Sequence, residues 1–233
     1  MEWKKCYLDV ILVPLGFVIS IGYHFWLWHK VRTQPHTTII GINASGCRNW
    51  VRAMMKDNEK KNILVVQSLR NIIMGSTLMA TTSILLCCGL AAMISSTYSV
   101  KKPLNNTIYG THSEFIIALK YVTLLTIFLF SFFSHTLSIR FINQVGILIN
   151  IPQDPLSLVT YEYVNEVLEK GFILNNVGNR LFYIGLSVLL WIFGPVLVFL
   201  CSFTMVLVLY NLDIVFISGK GKMVDVNENK EFV

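Results

Sequence analysis

Apolar positions along this chain gather into four runs long enough to cross a bilayer, at about 7–28, 71–97, 115–138 and 181–208. A spanning helix needs about 20 mostly apolar residues. Extended by their flanks, the helices are expected at about 7–28, 58–97, 115–150 and 181–216. Loops at 29–57 and 151–180 join them on one side. The pattern predicts an all-α polytopic membrane protein, a bundle of four transmembrane helices with two amphipathic cytosolic helices. It forms one domain over 1–218, followed by a polar tail over 219–233 that is expected to be flexible. Pro14 and Pro195 fall inside the first and fourth helices, where each removes a backbone hydrogen bond and predicts a kink.

The stretch from Lys60 to Ser96 is rich in small and hydroxyl side chains, among them Gly75, Ser76, Thr77, Thr81, Thr82 and Gly89. In lipid such residues mark a helix face that lets backbones approach. The polar segments also have periodic structure. Trp50, Val51, Met54 and Met55 share one helical stripe, with Arg48, Arg52 and Lys56 opposite. That helix suits either an anionic lipid surface or packing on its neighbours. Asp154-Pro155 predicts the start of a second helix that ends near Lys170, before Gly171. Its acidic side, Glu162, Glu166 and Glu169, is complementary to the basic side of the first.

Composition narrows the class. The chain is 54% hydrophobic and 14% charged, too apolar for an ordinary soluble domain. The net charge of +6 does not point to nucleic acid, because the basic residues cluster at the ends of apolar runs. Lys30, Arg32, Arg48, Arg52, Lys56, Lys60, Lys61 and Arg70 crowd the first loop, and Arg140, Lys170 and Arg180 flank the third. The second loop has only Lys101 and Lys102. The positive-inside rule then places the first and third loops in the cytosol. Both termini are expected to be extracytosolic, in the plasma membrane or an endomembrane. The sequon at Asn105 falls in the outer loop and is a glycosylation candidate. The five cysteines form no C-x-x-C and read as small apolar residues, so no metal site is expected.

No catalytic motif appears, so neither an enzyme nor a cofactor is expected. His24 and His135 fall in the same leaflet and are candidates for redox ligation or pH sensing; the alternative is interfacial histidines bonded to backbone or headgroups. Asp9 and Lys120 lie near the outer ends of their helices, able to pair or to snorkel. At the cytosolic edge Arg70, Asn71, Arg140, Asn143, Asn179 and Arg180 share one depth, as in an anion-attracting vestibule. Arg70, Thr77 and Thr81 lie along one stripe of the second helix, with Asn71 and Thr82 on the next. Hydroxyl and guanidinium donors suit an anion better than a cation. The competing account has the threonines bonding their own backbone four residues back. The reading is a homo-oligomeric ion channel or pore component with weak preference for anions. Its partners are the lipid bilayer, other copies of itself and small inorganic ions. The alternative is a non-conducting scaffold that binds a partner through its cytosolic helices.

The runs GINASGCRNWVRAMM, NILVVQSLRNIIMGSTLMATTSILL, FFSHTLSIRFINQVGILIN and GNRLFYIGLSVLLWIFGPVLVF carry a resemblance. Together they resemble a family of plant and bacterial integral membrane proteins filed as a domain of unknown function. The resemblance extends over about Asp9 to Phe216 and is most specific from Gln67 to Thr82. It implies a small polytopic membrane protein of plant origin and lends no functional residues.

Overall fold

A computed structural model describes residues 3–56, 58–100, 114–151 and 159–215. Asn105, Asp154-Pro155 and the tail from 219 lie outside these residues. The described chain forms six helices: α1 (Trp3–Thr33), α2 (Ile39–Lys56), α3 (Asn58–Val100), α4 (Glu114–Leu148), α5 (Tyr161–Leu189) and α6 (Pro195–Asp213). Short 3-10 turns occupy Pro35–Thr37 and Leu190–Ile192. Four helices, α1, α3, α4 and α6, are long and apolar enough to cross a membrane. α1 runs through Pro14 without a break.

The expected fourth helix at 181–216 is instead two helices. α5 ends at Leu189, a 3-10 turn follows, and Pro195 opens α6 at its first turn. A proline ring is tolerated there because the first helical N–H groups have no intrahelical partner. The helix expected to close before Gly171 is also different. α5 is capped by Thr160, whose hydroxyl accepts from the Tyr163 N–H, and it runs straight through Gly171. That glycine serves packing rather than termination. A Cβ there would meet Ile142 Cγ1 of α4 at 3.0 Å, and the Ser138 hydroxyl donates to the Gly171 carbonyl at 2.7 Å. Gly178 and Gly185 repeat the device at intervals of seven residues, against His135 and Phe128 of α4. Seven residues is close to two helical turns, so the three glycines form one seam on which α4 rests.

Contacts give the direction of each helix. α4 runs antiparallel to α3, with Leu69 near Gly146 and Ser83 near Ser131. It also runs antiparallel to α5, pairing Ser138 with Gly171 and Phe128 with Phe182. α6 lies parallel to α1: Gly16 faces Ser202 and Trp26 stacks on Tyr210. After α6, Val215 N–H donates to the Thr37 carbonyl, and Ile214 pairs with Thr38 beyond the end of α1. Trp191, in the turn before α6, meets Asp9 near the start of α1. Residues 9 and 215 therefore lie at opposite ends of the bundle. The expectation of both termini on one side rests on a single unbroken last helix, where the structure has α5 and α6 joined by a turn. α5 and α6 each run the length of the bundle in opposite directions.

α5 is the hub. It touches α2, α3, α4 and α6, whereas α3 packs almost wholly on α4 and stands at the edge. At the first-loop end, Val51, Met54 and Met55 of α2 join Val65, Leu69, Ile142, Val145, Val164 and Leu168 in one core. The apolar stripe of α2 is thus used in packing. Its basic side meets α5: Arg48 pairs with Glu169 at 2.8 Å, and Arg52 donates to the Tyr161 hydroxyl at 3.2 Å while covering its ring. A second core, with Val13, Leu124, Phe128, Phe182 and Trp191, fills the other end.

Candidate functional site

Polar groups inside a membrane bundle are costly unless partnered, so their positions carry information. They fall into two ionic clusters and one central seam. At the far end from the first loop, the Trp191 indole N–H donates to Asp9 Oδ1 at 3.0 Å. Lys120 Nζ donates to the Trp191 carbonyl at 3.3 Å and lies over its ring. All three side chains are buried. Asp9 and Lys120 thus meet through Trp191 and do not snorkel.

Toward the other end, α1, α5 and α6 are tied by Asp213. Its carboxylate accepts from the Tyr23 hydroxyl at 2.5 Å and from the Arg180 guanidinium. Asp213 is 5% exposed, and Arg180 Nη1 is buried without a protein partner. His24 lies within electrostatic reach of this pair, with Nδ1 2.6 Å from the Ser20 carbonyl. Sequence reasoning missed Tyr23 and Asp213. The signal was available, since Asp213 is the one acidic residue between Lys170 and the polar tail and therefore needed a buried partner.

The central seam joins α3, α4 and α5. Ser131 donates to the Gly178 carbonyl at 2.9 Å and lies 3.3 Å from the Ser83 hydroxyl. One turn along, His135 is 0% exposed and its Nδ1 lies 3.2 Å from Asn175 Oδ1. The Ser76 hydroxyl donates to the same oxygen at 3.0 Å. His135 Nε2 has no partner and abuts Gly178. Gly178 and Arg180, two residues apart on a helix, face opposite ways. The structure therefore places His135 and His24 on opposite sides of α5 and does not bring them together. Among the described residues no group of three or more His, Cys, Asp or Glu could hold a metal ion.

Beside the seam, a crevice of about 400 Å³ opens between α3 and α5. Asn71, Ser76, Asn175 and Asn179 supply its polar lining, Met79 and Phe172 the apolar part. Asn71 and Asn179 were expected at one membrane depth, and the structure brings both to this crevice. The other edge residues scatter. Arg70, Arg140 and Asn143 are exposed on α3 and α4, while Arg180 turns inward to Asp213. Thr77, Thr81 and Thr82 donate to the carbonyls of Ile73, Thr77 and Leu78 at 2.8–2.9 Å. Their hydroxyl protons are thus spent on their own helix, as the competing account had it.

The family model described as "Protein of unknown function, DUF599" matches residues 11–217. No curated protein and no solved structure matches the chain.

Proposed function

Since the chain belongs to the DUF599 family of proteins of unknown function, membership fixes no activity, and we propose from the geometry that it is a homo-oligomeric pore component with weak preference for anions. One observation carries the reading: α3 is packed by α4 on one side and leaves Arg70, Asn71, Gly75, Thr77 and Thr81 uncovered. An edge helix with small and polar residues in lipid gains from a second copy, since interhelical packing there depends on close backbone approach. A Cβ at Gly75 or Gly89 meets nothing within 4 Å, which leaves room for that approach. Closed symmetry then sets several Arg70 side chains near one axis. The first-loop end, rich in Lys and Arg, faces the cytosol. The back-bonded threonines favour close packing, so anion preference rests on Arg70 and the crevice amides.

The scaffold alternative is less favoured for a specific reason. The apolar stripe of α2 is buried, and the faces of α2 and α5 that would recruit a partner are bonded to each other.

Planar bilayers with asymmetric chloride test the proposal. Wild type is expected to reverse toward the chloride potential, and Arg70→Gln to shift toward cations while the oligomer survives. An unchanged reversal potential makes Arg70 a surface anchor and removes the selectivity claim.

A further inference from the structure

The uncovered threonines of α3 have no protons to offer an anion, so the donors must come from elsewhere. We propose that the crevice between α3 and α5 is a binding site for a small inorganic anion, held by the carboxamide N–H groups of Asn71, Asn175 and Asn179. This deepens the pore reading by giving the anion a place inside each protomer.

The orientation of Asn175 decides the sign of the charge. Its oxygen takes the Ser76 hydroxyl at 3.0 Å and faces His135 Nδ1 at 3.2 Å. With the Asn175 oxygen toward His135, the imidazole carries its proton on Nδ1 and turns the Nε2 lone pair to Gly178. The reverse orientation would leave a buried Nε2–H donor orphaned, which is rarer in proteins than an under-used acceptor. The acceptor capacity of Asn175 is therefore directed into the seam, and its NH₂ group is free to donate elsewhere. No carboxylate lines the crevice. A cation would need oxygen ligands, which the central residue has committed elsewhere.

Asn175 and Asn179 are four residues apart, so they stack along one face of α5 about 6 Å apart. Asn71 lines the same crevice on α3, directly after Arg70 and more than a turn nearer the first-loop end than Ser76, which bonds Asn175. An anion entering from the basic first-loop end thus meets a guanidinium and then a ladder of amides. A volume of about 400 Å³ holds an anion with several waters, each water taking about 30 Å³. Dehydration is partial, which suits a site that must release what it binds.

The test is chloride NMR line width with purified full-length protein in detergent micelles. Wild type is expected to broaden the chloride signal, and nitrate to reverse that broadening by competition. Asn175→Asp keeps an oxygen for Ser76 and His135 but places a carboxylate in the crevice, so the broadening is lost. Asn179→Leu and Asn71→Leu, each without effect on micelle size or helicity, weaken chloride by about tenfold or more, the effect of one hydrogen bond to a charged group. If Asn175→Asp does not fold, the two leucine variants decide. Wild-type broadening that survives in them, or no broadening at all, overturns the site. Variant-sensitive binding without any current in bilayers sustains the site and removes the pore reading. Current without variant-sensitive binding does the reverse.

Discussion

Replacing Gly178 with alanine should displace His135. The added Cβ would lie 2.7, 2.8 and 2.9 Å from three atoms of the imidazole. Ordinary carbon contacts settle at about 3.5–4.0 Å, so the ring must retreat by most of an ångström. It has little room, being fully buried, and its bond to Asn175 is already 3.2 Å long. Retreat by that amount breaks the bond and loosens Ser76 with it. Overpacking of this kind costs about 1–3 kcal/mol, and a lost buried hydrogen bond about 0.5–1.5 kcal/mol more. The expected loss is therefore about 2–4 kcal/mol of unfolding free energy, measured by SDS titration in mixed micelles. Gly22→Ala is the control: nothing lies within 4 Å of its added Cβ, so it is neutral or stabilising by up to about 1 kcal/mol, the helix-propensity difference. The double variant Gly178→Ala/His135→Ala regains part of the loss, because the clash partner is gone. Equal stabilities of Gly178→Ala and Gly22→Ala would refute the packing argument.

Four other predictions follow from particular contacts. Asp213→Ala leaves a part-buried Arg180 without its carboxylate and should cost up to about 3–5 kcal/mol, with the Asp213→Leu/Arg180→Leu pair less damaging; an SDS titration that finds the single variant no worse contradicts the ion pair. Burial, and then the Glu169 carboxylate, push the Cys47 thiol up. The folded state thus favours the protonated thiol, and that stabilisation is present below the ordinary thiol pKa and lost as pH rises through the folded value. Iodoacetamide should label Cys47 more slowly than an unfolded thiol around pH 8–9, and Glu169→Gln should speed it. Cys88 is exposed on the outer side of α3, so mild oxidation should give a disulfide-linked dimer that Cys88→Ser abolishes. Tags at the two ends of the chain should label from opposite sides of the membrane, the C-terminal one only after permeabilisation; labelling of both in intact cells would undo the α5–α6 hairpin.

Much of this fold was legible in the chain. Lipid-spanning segments announce themselves by apolar length, and α1, α3 and α4 follow it closely. The complementary faces of the two polar helices left pairing and a solvated acidic side both open, and Arg48–Glu169 is where they meet. α5 was the hard element, because its first half is amphipathic and its second half merges with the apolar run of α6. Hydropathy averages over both and hides the break at Gly194-Pro195. The proline there signalled a kink, but only the tie of Asp213 to Tyr23 turns the kink into a reversal. Gly171 misled for a related reason: a glycine after a polar helical stretch signals an end, and the same residue at seven-residue spacing with Gly178 and Gly185 signals a packing seam. The crevice joins residues about 100 positions apart, which no local pattern encodes.

Under the proposed pore function, anions cross the membrane through this protein. Purified protein in vesicles loaded with a halide-quenched dye puts that function to the most direct trial. Iodide added outside should quench the dye faster than in empty vesicles, and Asn175→Asp should slow that quenching. Quenching no faster than in empty vesicles, from protein shown to be folded and oligomeric, would contradict the account.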